Sequence, residues 1–285
     1  MEVTELIARK GMLRGLSPRT IKTYQYVVQK FLRIYHKAHF EVSKNDIENH
    51  LLRLLERNAP GNTVNVYLNA LKFFYEVVLH RSLTINIRYY KVPKQLPEFL
   101  TQEETAKLIQ VILNHKHLLM IKLLYSSGMR VSELLNLKVK DLSLDQNYGW
   151  VRQGKGKKDR VFVIAQKLQQ ELQEWINNLE FEMYVFSRNG ERMSPQTVRK
   201  IISAAVKEAG ISKKVHPHTL RHSFATHLVE NGYALIDVQP LLGHSRIETT
   251  MIYTHLARLN VLSVKSPYDS LPDPALARSN VQVIP

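Results

Sequence analysis

The sequence NYGWVRQGKGKKDRVFVI, residues 147–164, interrupts a chain whose apolar residues otherwise recur at helical spacing. Residues 148–151 and 161–164 are short runs of β-prone side chains, and a polar segment with two glycines separates them. This pattern predicts a β-hairpin with a basic tip, and Lys155 stands at that tip with a glycine on each side. Sheet is therefore expected near the middle of the chain and helix elsewhere.

Helices are predicted on both sides of the hairpin. Residues that cap a helix N-terminus by accepting a backbone hydrogen bond precede several periodic apolar stretches: Ser17, Ser43, Thr101 and Ser194. Asp46 and Glu104 stand three residues after Ser43 and Thr101, as in a capping box. Further helices are predicted over 63–79 and 219–230, and the Pro-Gly pair at 60–61 is expected to end the helix that begins near Ser43. The predicted fold class is mainly α (α+β).

The domain organisation is inferred from a Pro-containing stretch without periodicity, RYYKVPKQLP at 88–97. We expect a small helical domain over 1–90, a linker over 91–98, a second domain over 99–265 and a Pro-rich tail over 266–285. A chain of 285 residues can bury a core in each domain.

The charge of the chain indicates an anionic partner. There are 40 Lys and Arg residues against 25 Asp and Glu, a formal charge of +15. Residues 1–95 alone hold 16 basic and 7 acidic side chains, which favours a DNA clamp over a catalytic unit at the N-terminus. A nucleic acid is the favoured partner and a membrane surface the rival.

Several classes of function are excluded or disfavoured by composition. Without Cys there are no disulfides, no thiolate catalysis and no Cys-based zinc site. No apolar run is long enough to span a bilayer, and residues 1–14 lack the apolar block of a signal peptide. We expect a soluble, cytoplasmic protein.

Two basic residues near turns are candidates for chemistry. Arg130 begins an amphipathic helix, and Glu133, one turn later, can orient its guanidinium through a bidentate pair. For Arg130 alone a surface salt bridge is the commoner explanation. For Lys155, a solvated charge at the tip of a loop is likewise the commoner explanation, although the flanking glycines allow the backbone to approach a ligand closely.

A histidine-rich segment, HPHTLRH at 216–222, places His218 and Arg221 on one side of a helix start. His218 and His222 have the spacing of a metal pair, but no third ligand is indicated. His244 follows Leu-Gly, and Tyr253 comes nine residues later. A helical Tyr is far more often a packing residue than a nucleophile.

Taken together, two Arg, two His, a Lys and a Tyr suit metal-free attack on a phosphodiester. Phosphoryl transfer depends mainly on positioning and on neutralising charge, which fixed guanidiniums can supply. Nearby cations would lower the pKa of a Tyr hydroxyl, a His could take its proton, and a Lys could protonate the leaving oxygen. Neither a cofactor nor ATP is required, because a phosphotyrosyl link conserves the bond.

The segments GMRVSEL (128–134), GKG (154–156), HTLRH (218–222), LGH (242–244) and IYTH (252–255) resemble the motif set of the tyrosine recombinases (phage integrase family), most closely the Xer-type enzymes. SPRTIKTYQYVVQKF (17–31) resembles their N-terminal core-binding domain. The resemblance implies a four-helix core-binding domain followed by a mixed α/β catalytic domain with a small β-hairpin.

The resemblance also implies a role for each catalytic position. Tyr253 is the nucleophile, and Arg130 and Arg221 bind the scissile phosphate. His218 assists proton transfer at Tyr253. Lys155 is the general acid for the leaving 5′-hydroxyl, and His244 hydrogen-bonds the phosphate.

Partners follow from the same resemblance: double-stranded DNA carrying a recombination site, a homotetramer with a dimer on each site, and a possible second recombinase or DNA translocase. Charge and position alone suggest Arg19, Lys22 and Lys72 as DNA contacts. Dimer resolution of circular chromosomes or plasmids is the favoured role. The long Pro-rich tail leaves open an integrase of a mobile element or virus. An inactive DNA-binding protein and a metal-dependent nuclease are the remaining alternatives.

Overall fold

The computed structural model describes residues 2–81, 89–90, 96–152, 159–179, 183–188, 190–244 and 246–256, without the side chains of residues 255 and 256. The chain divides into two compact units, Met1–Gln95 and Leu96–Pro285. Most of the expected linker, the tip of the hairpin with Lys155 and the expected tail lie outside the described residues. No helix in the described ranges is both long enough and apolar enough to cross a membrane.

The described part of the first unit is helical. Its helices are α1 (Val3–Leu13), α2 (Pro18–Tyr35), α3 (Lys44–Glu56) and α4 (Gly61–Lys72), and α4 continues as a π-helical turn over Phe73–Val78. Phe31, Leu68 and Phe74 are fully or almost fully buried in its core. The mainly helical prediction for this region is confirmed.

Local capping explains where two of these helices begin. The Ser17 hydroxyl accepts a hydrogen bond from the Thr20 amide, and Pro18 occupies the first helical position. Ser43 and Asp46 form a reciprocal capping box. The expectation for Pro60 was wrong, because α3 already ends at Glu56 and Pro60 is the N-cap of α4.

The second unit combines helices with a small sheet. Its helices are α5 (Gln102–Gln110), α6 (His115–Ser127), α7 (Val131–Asn136), α8 (Gln166–Asn177), α9 (Pro195–Glu208), α10 (Pro217–Glu230), α11 (Leu235–Leu242) and α12 (Ile252–Leu256). Strands β1 (Leu142–Ser143), β2 (Tyr148–Val151) and β3 (Arg160–Val163) form an antiparallel sheet in that order. A two-stranded ribbon joins β4 (Ser187–Arg188) to β5 (Glu191–Arg192).

The predicted hairpin is confirmed as β2 and β3, with Tyr148 opposite Val163 and Val151 opposite Arg160. Phe162 points into the core, whereas Val161 and Val163 are exposed, as the two faces of a strand require. Arg160, two residues before Phe162, lies on the same face of β3, so its side chain points to the core side of the sheet.

Helix α10 runs through the interior of the second unit. Nearly all of its side chains from Thr219 to Val229 are buried, and it packs on α6, whose Leu119 to Leu124 segment is also mostly buried. A helix enclosed in this way has little freedom to shift, so the polar side chains on it are held in fixed places.

Candidate active site

Gly128 joins the two arginines that the sequence singled out. It ends α6 in the left-handed conformation (φ 59°), and its carbonyl accepts a 2.7 Å hydrogen bond from Arg221 Nη1 on α10. A Cβ atom at this position would lie 2.3 Å from the Phe224 ring. Only glycine satisfies both conditions, and the turn it makes places Arg130 two residues later, at the N-cap of α7.

Arg221 is held inside the protein by backbone and side-chain acceptors. Its side chain is 3% exposed, and besides Gly128 it donates to the carbonyl of Leu242 and lies 3.1 Å from His244 Nε2. Burial, with the charge of Arg130, lowers the pKa of Arg221 to about 10. The guanidinium thus stays positive at neutral pH while being poorly solvated.

Glu133 orients Arg130, but together with a second arginine that the sequence analysis missed. Glu133 Oε1 accepts from Arg130 Nη1 at 2.6 Å, and Oε2 accepts from Arg160 Nη2 at 2.7 Å. The expected bidentate pair is therefore replaced by a bridge between two guanidiniums. Burial raises the pKa of Glu133, but Arg160 and the hydrogen bonds from Arg130 outweigh it, so this pKa lies below its ordinary value.

Arg160 connects this bridge to α11. It donates to the Leu241 carbonyl, and its Cδ atom lies only 2.7 Å from the position that a Cβ atom on Gly243 would take. Arg130, Arg160 and Arg221 are called the arginine cluster below. In the sequence Arg160 looked like one more charge of the hairpin, and no local signal marked it.

His244 follows the left-handed Gly243 (φ 60°) at the end of α11. Its Nδ1 lies 2.9 Å from the Thr250 hydroxyl, and its Nε2 faces Arg221. Because a guanidinium can only donate, Nε2 is the acceptor here and Nδ1 carries the hydrogen. Burial, then the charges of Arg221 and Arg130, lower the pKa of His244 to about 4, which keeps the ring neutral.

Tyr253 is 1% exposed and lies at the start of α12, with its ring parallel to that of His244 at 6.4 Å. Its hydroxyl lies 3.1 Å from Nδ1 of His222. Burial raises the pKa of Tyr253, and Arg221 and Arg130 offset only part of the rise. The hydroxyl is therefore protonated at neutral pH in this conformation.

His218 lies in the first turn of α10 and keeps an exposed surface, with its ring against that of His216. Burial and the charge of Arg221 lower its pKa. Within the described ranges no hydrogen bond joins His218 to Tyr253, and the histidine at the hydroxyl is His222. His222 entered the sequence analysis only as a possible metal partner, and no group of three potential metal ligands occurs among the described side chains.

The three suggested DNA contacts differ in their surroundings: two are exposed on α2, and the third lies against an aromatic ring. Arg19 and Lys22 are exposed on α2, and Lys30 and Arg33 continue the same side of that helix. These four residues are called the α2 basic face; Tyr26 lies among them and is 60% exposed. Lys72, on α4, instead lies over the Tyr89 ring at 5.8 Å, and the Tyr89 hydroxyl donates to Asn69.

Comparisons with known proteins cover both units. Residues 98–259 match the phage integrase family, and residues 5–85 match the N-terminal SAM-like domain of phage integrases. The tyrosine recombinase XerA of Pyrococcus furiosus is 38% identical over 262 residues, 90% of each chain.

Two solved structures are also similar. A crystal structure of XerA recombinase is 29% identical, with a TM-score of 0.53 over 98% of this chain and 97% of that one. The XerH recombinase bound to its difH substrate, at 24% identity, shares the fold with a TM-score of 0.71 over 94% of this chain and 85% of that one.

Proposed function

The chain belongs to the phage integrase family and is a Xer-type site-specific tyrosine recombinase, and from this premise we propose that Tyr253 is its nucleophile. The observation that carries the proposal is the grouping of Tyr253, His244 and Arg221. The Tyr253 and His244 rings are parallel with centroids 6.4 Å apart, His244 Nε2 lies 3.1 Å from Arg221, and Arg130 is joined to Arg221 through Gly128. In the proposed reaction the Tyr253 oxygen attacks the scissile phosphorus and the 5′-oxygen leaves. The product is a 3′-phosphotyrosyl link.

Arg130 and Arg221 bind the non-bridging oxygens of that phosphate and stabilise the charge that develops on them. Their buried anchors support this role, because a fixed cation in a poorly solvated site stabilises a transition state without reorganising. Glu133 and Arg160 hold Arg130 in place. These guanidiniums take the part that metal ions play in many other phosphoryl transfers, so cleavage is expected to persist in EDTA.

The remaining catalytic roles rest on the motif match. Lys155 protonates the leaving oxygen. His244 hydrogen-bonds the phosphate, which requires its Nε2 to give up the contact with Arg221 and to carry the ring hydrogen, so that Nε2 donates to a phosphate oxygen while Nδ1 accepts from the Thr250 hydroxyl. The assignment of His218 to the proton of Tyr253 stays a prediction, and its electrostatic coupling to Arg221 and Arg130 is equally compatible with contact to the phosphate.

Double-stranded DNA is the substrate, and we propose that residues 1–90 form the clamp that holds it. The α2 basic face supports this, because its four exposed cations have no salt bridge to a carboxylate in the part of the chain that the structure describes. Arg19 and Lys22 are the sequence-predicted members of the face. A tetramer on two DNA sites, and resolution of circular chromosome or plasmid dimers, complete the proposal.

The test is covalent trapping. A duplex nicked next to the cleavage position loses a short fragment after attack, so the protein–DNA adduct accumulates. Tyr253→Phe should bind DNA normally and form no adduct, and a normal adduct yield from Tyr253→Phe would remove Tyr253 from its role. Sequencing DNA trapped covalently on the wild-type protein in cells would supply the recombination site for this duplex.

A further inference from the structure

Helix α10 carries two histidine–tyrosine pairs of the same kind. His222 Nδ1 lies 3.1 Å from the Tyr253 hydroxyl, and His227 Nδ1 lies 2.9 Å from the Tyr125 hydroxyl. Both histidines are largely enclosed, and burial lowers both pKa values. Only the first pair contains the proposed nucleophile. The second therefore shows what such a pair contributes to the fold alone.

We propose that His222 is the residue that holds the Tyr253 hydroxyl and accepts its proton as the oxygen attacks phosphorus. The inference rests on the proposed function. In the step, the bond between the Tyr253 oxygen and phosphorus forms while the bond from phosphorus to the 5′-oxygen breaks. The phenolic proton moves to His222 Nδ1, and the leaving oxygen receives a different proton, from Lys155 in the proposed scheme.

The position of His222 supports this role. It directly follows Arg221, so one rigid, buried helix would fix both a phosphate ligand and the hydrogen-bond partner of the nucleophile. Arg221 reaches Gly128, Leu242 and His244 on one side, while His222 reaches Tyr253 on another. Because the His244 ring stacks on Tyr253, the phenol is held by rings from two elements.

The surroundings of His222 keep it in the form that a proton acceptor needs. Burial, together with the charges of His218, Arg221 and His216, lowers its pKa to about 4, so the ring is neutral at physiological pH. A neutral imidazole with such a pKa does not deprotonate the resting phenol. It accepts the proton only in the transition state, where the oxygen becomes acidic as its bond to phosphorus forms.

His218, one turn earlier on α10, lacks the corresponding contact. Its ring neighbour is His216, and no hydrogen bond links it to Tyr253 within the described ranges. The two histidines are thus separable by mutation, although the motif match assigns proton transfer to His218.

The test is the single-turnover rate of adduct formation on the nicked duplex, with protein in excess. In His222→Asn an amide oxygen can stand near the position of Nδ1, so the hydrogen bond survives but the proton cannot be taken. We expect a rate about 100-fold lower with unchanged DNA affinity, as the loss of a general base predicts. His222→Gln, which places its amide further out, is the second variant in case Asn folds poorly.

His227→Asn is the matched control, because it alters the same atom of the same residue type on the same helix, facing a tyrosine with no part in the proposed chemistry. It should lower the melting temperature as much as His222→Asn does and leave the adduct rate within about twofold. Equal rates for the two variants would overturn the proposal.

A second substrate separates the two proton transfers. When sulfur replaces the bridging 5′-oxygen, the leaving thiolate needs no proton, so a variant without the general acid regains speed. Lys155→Ala should recover on this substrate and His222→Asn should not. Recovery of His222→Asn would place His222 on the leaving-group side and refute the assignment. Failure of the proposed function would appear separately, as adduct formation by Tyr253→Phe.

Discussion

The arginine cluster and the α2 basic face are both positively charged, but they are built in opposite ways. Arg130, Arg160 and Arg221 are mostly buried, and Arg160 and Arg221 are tied to backbone carbonyls. The cations of the α2 basic face are exposed and not tied to carboxylates within the described ranges. In the proposed function, positive charge that must meet one phosphate at one angle is fixed by burial. The charge proposed to follow a DNA backbone stays in solvent, where its binding energy would depend on salt.

The largest effect is expected from a change that keeps the charge and removes the geometry. Arg221→Lys retains one positive charge but cannot reach Gly128, Leu242 and His244 together. Adduct formation on the nicked duplex should fall about 10²- to 10³-fold. Arg19→Lys, on the α2 basic face, is the control and should react within about twofold of wild type. Similar losses of adduct rate in both variants would show that the arginine cluster and the α2 basic face do not differ in this way.

Glu133→Gln should be next in size, because it leaves two buried guanidiniums without their shared carboxylate. We expect a loss of up to about 3 kcal/mol in unfolding free energy at pH 7. The pKa of Glu133 is depressed in the folded state, so its contribution is present above the unfolded pKa and lost as pH falls through the folded one. The unfolding free energies of wild type and Glu133→Gln, measured by urea titration, should therefore converge in acid. A difference that persists in acid would show that the ionised Glu133 carboxylate is not the source of the lost stability.

Gly128→Ala tests how the cluster is positioned. The added Cβ atom would clash with Phe224 on top of the unfavourable backbone angle, and we expect a loss of about 1–3 kcal/mol together with a slower adduct rate. Gly210→Ala has a similar φ of 64° with nothing within 4 Å of the new atom. Gly210→Ala should lose only about 1 kcal/mol of unfolding free energy and should keep the wild-type adduct rate. Thermal melts and adduct assays on both variants separate the clash from the strain.

The α2 basic face should respond in binding and not in chemistry. Lys22→Ala combined with Lys30→Ala should weaken DNA binding about tenfold and reduce the salt slope of the affinity by about 0.9 for each phosphate that is no longer neutralised. The adduct rate at saturating protein should not change. Titrations of fluorescent DNA at several salt concentrations give both numbers, and an unchanged slope would exclude these residues as phosphate ligands.

Lys72→Ala should have the smallest effect. Its ammonium group lies over the Tyr89 ring, an interaction worth about 0.5–1 kcal/mol at an exposed site. We expect this small loss of stability and a change in DNA affinity below about twofold. A drop in salt slope like that of Lys22→Ala would instead return Lys72 to the DNA interface suggested by the sequence.

Features set by neighbours in the chain could be predicted from the sequence. The helix starts at Ser17, Ser43 and Thr101 depend on hydrogen bonds over three residues, and each start was predicted from the sequence. The hairpin followed from β-prone runs around glycines. The pairing of Arg130 with Glu133, also three residues apart, was predicted, but the second partner of Glu133, Arg160, was not.

Features set by packing could not be predicted in the same way. Arg160 meets Glu133 across 27 residues and Leu241 across 81, and His222 meets Tyr253 across 31. Such contacts depend on how strands and helices stack, which no local pattern encodes. Burial of Tyr253 belongs here too, because its motif indicates a nucleophile and says nothing about enclosure.

The close approach of Gly128 and Phe224 has a consequence for recognising and redesigning active members of the family. Phe224 packs in the same apolar cluster as Tyr253, so the ring that excludes any side chain at position 128 also belongs to the packing around the proposed nucleophile. A homologue could keep all six proposed catalytic positions and still be a pseudoenzyme if a branched residue replaced this glycine. A graft of the site onto another scaffold would need Gly128, Glu133 and Phe224 as much as the residues that meet the phosphate.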